Sequence, residues 1–238
     1  MDQTIEAVAL KRNWPTGFKL GPIDFTARRG ETIAVFGKNG AGKSTFFQLL
    51  SGSIDRSEGD LKVLGSKMSP DATIIRRQVG YLPQESTLPD WTTPEEILTY
   101  AAKLLNLDNP RQRVEEELSR WDATTWRHRA ICRSSHGMQR RIGLAVAMIH
   151  DPDVLILDEP FNALDIVNGR TLETAIKNRA KLGKTTLISI HSPLVAAAIC
   201  PRAILLDAGH LEELHDWPKS SIIERANMIE SKFFGGKI

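Results

Sequence analysis

The chain has 238 residues, of which 41% are hydrophobic and 25% charged, and a formal net charge of +2. These figures suit a soluble globular protein with a substantial core, in one large domain or two small ones. The near balance of charge gives no electrostatic reason to expect nucleic acid or an anionic membrane surface, and no apolar run approaches the roughly 20 residues of a membrane span. Cys132 and Cys200 stand alone, which gives neither a disulfide framework nor a metal spacing and fits a reducing cytosol. The first residues include Asp2 and Glu6 and no apolar signal region, so export is not expected.

In chain order, residues 5–10, 18–26 and 31–36 read as short strands, broken by Trp14-Pro15-Thr16-Gly17 and by Arg28-Arg29-Gly30. A helix follows from Lys43 to about Ser51, with Gly52 placed to close it. Residues 61–64 read as another strand. Thr93-Pro94-Glu95-Glu96 is a capping box with proline at the first helical position, and Asn109-Pro110-Arg111-Gln112 repeats the device. Residues 94–150 are therefore predicted mostly helical. Buried-type strands return at 154–157, 185–190 and 203–206, with helical stretches between them. This order predicts an α/β core on a parallel sheet with crossover helices, carrying a helical insertion of about fifty residues that could be a lid or a docking platform.

The segment TIAVFGKNGAGKST places Gly37-Lys38-Asn39-Gly40-Ala41-Gly42-Lys43-Ser44, followed by Thr45, after an apolar strand and before a helix. That is the phosphate-loop pattern in the context it needs. Glycines let backbone N–H groups form a nest for phosphate oxygens, and the helix N-terminus adds partial positive charge. Lys43 can reach the β- and γ-phosphates, and Ser44 can ligate Mg²⁺.

The run VLIL ends on Asp158-Glu159-Pro160. A buried strand ending in acids delivers them to the carboxyl edge of a parallel sheet, where ligands bind. Asp158 is expected to hold Mg²⁺, and Glu159 to accept the proton of an attacking water. Asn162-Ala163-Leu164-Asp165 lacks the lysine of a guanine reader and follows no separate strand, which favours adenine.

These ordered motifs resemble the ATP-binding subunits of ABC transporters over residues 4–212. The resemblance implies a P-loop NTPase core with a parallel sheet, an antiparallel β subdomain and a helical subdomain at about residues 85–150. The ATPase domain then covers residues 1–212, with a helical extension at 213–238. It implies that Trp14, with Phe18 as second choice, stacks on adenine. In VGYLPQE it makes Gln84 a contact of Mg²⁺ and of the attacking water, and a link from the γ-phosphate to the helical subdomain. In TTLISIHSP it makes His191 the γ-phosphate contact. Ser192 stands where many members have aspartate, with little consequence expected. Asp165 belongs to the loop that touches the opposite subunit.

The family signature, usually LSGGQ, reads here Ser134-Ser135-His136-Gly137-Met138. Its first, third and fifth positions depart from the pattern. Ser135, which can also cap the following helix, and Gly137, which permits close backbone approach, are kept. By resemblance the signature, including Met138, caps ATP held by a second ATPase subunit, either an identical copy or a paralogue. ATP and Mg²⁺ then join two subunits head to tail, and hydrolysis drives a separate transmembrane permease from the cytoplasmic face of the membrane. The S-H-G-M form resembles ATPases paired with ABC-2-type membrane subunits, often exporters. A non-hydrolytic site is the competing reading, weakened by the presence of Lys43, Gln84, Glu159 and His191. A soluble ABC ATPase acting in assembly or scaffolding is the alternative function. No nucleic acid partner is expected. In the extension, Ile222, Ala226, Ile229 and Phe233 follow helical spacing, which predicts a helix packed on the protein's own body.

Overall fold

A computed structural model of the chain describes residues 3–15, 17–85, 88–215, 217 and 220–234. Strands β1 (Gln3–Asn13), β2 (Lys19–Arg28), β4 (Glu58–Val63) and β5 (Ser66–Lys67) form one sheet in the order β2-β1-β4-β5, with antiparallel pairing throughout. β2 alternates between buried and exposed residues, as a strand with one face on a core must. The second sheet has the order β10-β9-β3-β8-β7-β6. Its members are β3 (Thr32–Phe36), β6 (Val79–Leu82), β7 (Val154–Leu157), β8 (Thr185–Ser189), β9 (Arg202–Asp207) and β10 (His210–Glu213). Strands β9, β3, β8, β7 and β6 run parallel, and β10 closes one edge antiparallel.

The central strands TIAVF, VLIL and TTLIS are buried at every position. Continuous apolar runs of this kind are what a sheet covered on both faces requires. Alternate residues divide between two cores. Ile33 and Val35 join Phe46, Phe47 and the β1–β2 side chains, while Ala34 and Phe36 join Trp121, Leu144 and Trp217. Helix α1 (Lys43–Leu50) lies in the first core, and Gly52 follows it with φ +69°, its N–H bonded to Leu49 O at 3.0 Å. After the short α2 (Thr73–Arg76) and β6 comes the helical region: α3 (Pro94–Leu104), α4 (Pro110–Arg120) and α5 (His136–Met148), with two 3-10 turns between α4 and α5.

Two sequence expectations change here. The capping box at Thr93 forms as predicted, with Thr93 Oγ1 accepting from the Glu96 N–H and Glu96 accepting from the Thr93 N–H. The one proposed at Asn109 does not. Asn109 is left-handed, φ +53°, and its side chain caps nothing, so only Pro110 marks that helix start. The second change is β6, which the sequence did not suggest as a strand. It is short and contains Gly80, whose missing Cβ would lie 2.1 Å from Ala147 O on α5.

Helices α6 (Ile166–Lys181) and α7 (Pro193–Ile199) complete the crossovers, and α8 (Ile222–Phe234) follows β10. Ala226 and Ile229 of α8 are buried, whereas Ile222 is exposed. The side chain of Phe233 lies outside the described residues.

Candidate nucleotide site

Four of the segments singled out for chemistry leave the carboxyl ends of parallel strands. The phosphate loop follows β3, Gln84 follows β6, Asp158 and Glu159 follow β7, and His191 follows β8. The registers Val35–Ser189, Leu157–Ile188 and Leu82–Leu157 set those ends side by side.

Within the loop, Lys43 is buried and donates from Nζ to the carbonyls of Gly37 at 2.8 Å and Lys38 at 3.3 Å. Burial lowers its pKa, while Glu159 and Asp158 raise it. Gly42 has φ +107°, and a Cβ there would meet Leu20 Cδ1 at 2.8 Å and Phe18 Cζ at 3.0 Å. Both facts reserve the position for glycine.

A cavity of about 630 Å³ is shared by Trp14, Phe18, Lys38, Asn39, Gly40, the residues from Gly42 to Thr45, Gln84 and Glu159. Ala41 is buried. Gly37 and His191 line a neighbouring cavity that also touches Ile229 and Glu230 of α8. The Arg12 guanidinium sits 4.5 Å from the Trp14 ring centroid, a cation–π contact that steadies the indole on the rim. Phe18 packs against Gly42.

The acidic pair is fixed from several sides. Asp158 is wholly buried. Its Oδ1 accepts from Ser189 Oγ at 2.6 Å, and the same Oγ accepts from the Glu159 N–H at 2.7 Å. Glu159 takes a left-handed backbone, φ +51°, a conformation that costs a non-glycine residue about 1–3 kcal/mol and recurs at functional sites. Its carboxylate gathers three side chains: His191 Nε2 at 2.7 Å from Oε1, and Asn162 Nδ2 at 2.7 Å and Gln84 Nε2 at 3.3 Å from Oε2. Such a carboxylate is oriented to receive a proton from a water in the cavity.

The donor set fits a hard divalent cation. Asp158 Oδ2 is buried without a hydrogen-bond partner among the described residues, and Ser44 and Gln84 line the adjacent cavity. No group of three or more His, Cys, Asp or Glu side chains among the described residues could hold a metal alone. That suits Mg²⁺, which takes few protein ligands and completes its shell with phosphate and water.

The signature lies elsewhere. Ser135, His136, Gly137, Met138 and Asp165 line a separate cavity of about 430 Å³ that shares no wall residue with the phosphate-loop cavity. Ser135 is the N-cap of α5, accepting from the Met138 N–H at 3.3 Å. Gly137 makes a close approach within the chain: a Cβ there would stand 2.4 Å from Ala163 O. Asp165 caps α6 through the Asn168 N–H at 2.8 Å, and that bond holds its carboxyl below the usual range. Ser192 caps α7 by accepting from the Val195 N–H at 3.4 Å, a role open to aspartate as well.

Sequence reading did not pick out Ser189, Asn162 or Arg140. Ser189 carried a signal, a polar residue closing a buried apolar strand. Asn162 stood in a segment considered only for guanine reading and for the partner-contact loop.

The family model described as ABC transporter matches residues 20–162. The uncharacterized ABC transporter ATP-binding protein YxlF of Bacillus subtilis is 34% identical over 79% of this chain, a stretch that spans 63% of that relative. The Nod factor export ATP-binding protein I of Sinorhizobium fredii is 30% identical over 99% of this chain and 69% of its own length. Among solved structures, an ATP-binding subunit of an ABC transporter superposes with TM-score 0.84 at 25% identity, covering 95% of this chain and 99% of that one. A dimeric, post-hydrolysis ATP-binding cassette, MJ0796 bound to ADP and Pi, superposes with TM-score 0.81 at 23% identity, over 88% and 98%, and shares the fold.

Proposed function

The chain belongs to the ABC transporter family as one of its ATP-binding domains, and on that premise we propose that it hydrolyses ATP between two subunits to drive a separate membrane subunit. The observation that carries this reading is the Glu159 carboxylate, held by His191, Gln84 and Asn162 at the edge of the phosphate-loop cavity. In this reading ATP lies with adenine against Trp14 and its phosphates over the residues from Gly37 to Thr45. Lys43 exchanges its loop carbonyls for the β- and γ-phosphates. Glu159 draws the proton from the attacking water, and His191 steadies both the carboxylate and the γ-phosphate. Mg²⁺, held by Ser44, Gln84 and Asp158, supplies charge neutralisation on the phosphates when bound.

The separate signature cavity supports closure in trans, with Ser135, Gly137 and Met138 of one subunit meeting ATP on the other and Asp165 at the shared face. Loss of the γ-phosphate bridge then opens the pair, and the helical subdomains move with it. Trp91, Tyr100 and Leu104 are exposed on the helical insertion, and apolar surface there supports docking of a membrane subunit on the cytoplasmic face. No helix among the described residues is long and apolar enough to cross a membrane. We assign the crossing to that subunit. The test is twofold: Mg²⁺-dependent ATP turnover by the purified chain, and its recovery from detergent-solubilised membranes with a multispanning partner. Turnover without any membrane partner would leave the ATPase and remove the transport role.

A further inference from the structure

The signature helix α5 reaches back into the chain's own nucleotide site through one side chain. Arg140 is buried, with 5% of its surface exposed. Its Nη1 donates to the carbonyls of Pro83 at 2.6 Å and Gln84 at 3.1 Å, and its Nη2 donates to the carbonyl of Asp158. These acceptors lie on two segments, the loop that leaves β6 and the end of β7. The side chains of Gln84, Asp158 and the adjoining Glu159 are the groups assigned to metal and water. Asp158 and Glu159 also attract the guanidinium by charge. Nearby, α5 fits closely on β6: a Cβ at Gly143 would meet Leu82 Cδ1 at 2.8 Å.

A buried guanidinium is a costly choice for holding a helix to a sheet, since an apolar side chain would do so without desolvating a charge. A planar fork with several fixed donors can hold three carbonyls in a set geometry, which an apolar side chain cannot. Ser135 and Gly137 belong to the same helix start, in a cavity that shares no wall residue with the phosphate-loop cavity. One rigid element therefore carries the segment aimed at a partner's ATP and the clamp on this chain's own catalytic segments.

We propose that Arg140 is a positioning residue that couples the two ATP sites: movement of the signature helix onto the partner's ATP shifts Gln84 and the Asp158–Glu159 turn together. This rests on the dimer reading of the proposed function. Coupling of this kind needs an element with two arrangements that both sites bias, and the proposal gives that role to α5 with its arginine clamp.

The experiment compares the full-length chain with Arg140→Gln and Arg140→Lys. The measurements are ATP affinity, steady-state kcat and KM, the Hill coefficient for ATP hydrolysis, and dimer formation with Mg-ATP in a Glu159→Gln background. In Arg140→Gln, ATP affinity should stay within about twofold, kcat should fall about tenfold or more, and the Hill coefficient should drop toward 1. Arg140→Lys, which keeps charge but not the fork, should recover part of kcat and of the cooperativity. If both folded variants keep wild-type kcat and Hill coefficient, the proposal is overturned. If Arg140→Gln does not fold, Arg140→Lys decides alone, and a wild-type Hill coefficient there overturns it. A wild-type chain that is non-cooperative and forms no ATP-dependent dimer would instead remove the dimer reading beneath it.

Discussion

His191 Nε2 lies 2.7 Å from Glu159 Oε1, although the two residues leave different strands and stand far apart in sequence. The neighbouring strands β7 and β8 make the contact, because their register brings Leu157 beside Ile188 and so aligns the residues that leave each strand. Ser189, at the end of β8, binds the backbone of one acid and the side chain of the other. The pair is thus a product of the sheet.

Glu159→Gln should abolish turnover, lowering kcat by at least ~10²-fold, the scale of a lost general base. It should also stabilise an ATP-bound dimer, seen by size-exclusion chromatography with Mg-ATP. His191→Ala leaves Glu159 with Gln84 and Asn162, and should cost about 10² in kcat through misplacement. Wild-type kcat in Glu159→Gln would remove Glu159 as the base.

Trp14→Ala should raise the Kd for ATP by roughly 5- to 150-fold, since stacking a base on an aromatic ring contributes about 1–3 kcal/mol. Once ATP is saturating, kcat should hold. Arg12 over the indole steadies it, so Arg12→Ala should give a smaller loss in the same direction. Unchanged affinity in Trp14→Ala, with a loss in Phe18→Ala, would move the stacking role to Phe18, which shares the cavity.

Ser135→Arg and Gly137→Ala should part company. Ser135 is exposed, so arginine there fits the free chain and costs about 1 kcal/mol for the lost cap. ATP binding should persist while ATP-dependent dimerisation fails. A Cβ at Gly137 would press on Ala163 O at 2.4 Å, so Gly137→Ala should lower thermal stability as well as dimerisation, by about 1–3 kcal/mol. Thermal melts and analytical ultracentrifugation with Mg-ATP separate the two outcomes. Normal dimerisation in Ser135→Arg would refute closure in trans.

Much of the site was legible because its parts are local. A phosphate loop, two acids after VLIL and a histidine after TTLISI each sit at a strand end, and a buried strand is readable from its apolar run. The connections between the parts were not legible. Strand order β8-β7-β6 decides that Ser189 meets Asp158 and that Gln84 meets Glu159, and order across a sheet leaves no mark in any one segment. Arg140 carries no signal in the sequence, and only the burial of α5 against β6 gives it three carbonyls. Asn109 failed as a cap for a different reason: its backbone is left-handed, where a capping residue is normally extended, and φ cannot be read from composition. Trp217 lay in a segment taken as an extension, yet it is fully buried, packs 5.6 Å from Phe36 and donates to Cys200 O at 2.8 Å.

His150, in the turn just past α5, gives a prediction independent of nucleotide. Burial is the main force lowering its pKa to about 4, aided by Arg179 and Lys184 and opposed by the backbone of Val79 and by Asp151. In the unfolded chain an ordinary histidine titrates near 6.5. Between those values the unfolded state binds a proton that the folded state refuses, so stability falls as pH drops from about 6.5 toward 4. At pH 5 the loss from this group is about 2 kcal/mol relative to pH 7.5. Glu117 works in the opposite sense, because burial raises its pKa and lets the folded state take up a proton earlier. Total acid sensitivity therefore mixes groups, and a difference between variants isolates one. His150→Gln removes the titration while keeping a polar side chain. Urea unfolding at pH 7.5 and pH 5 should show the wild type losing about 2 kcal/mol more than the variant between the two conditions. Equal losses would mean that His150 binds its proton as readily in the folded chain as in the unfolded one.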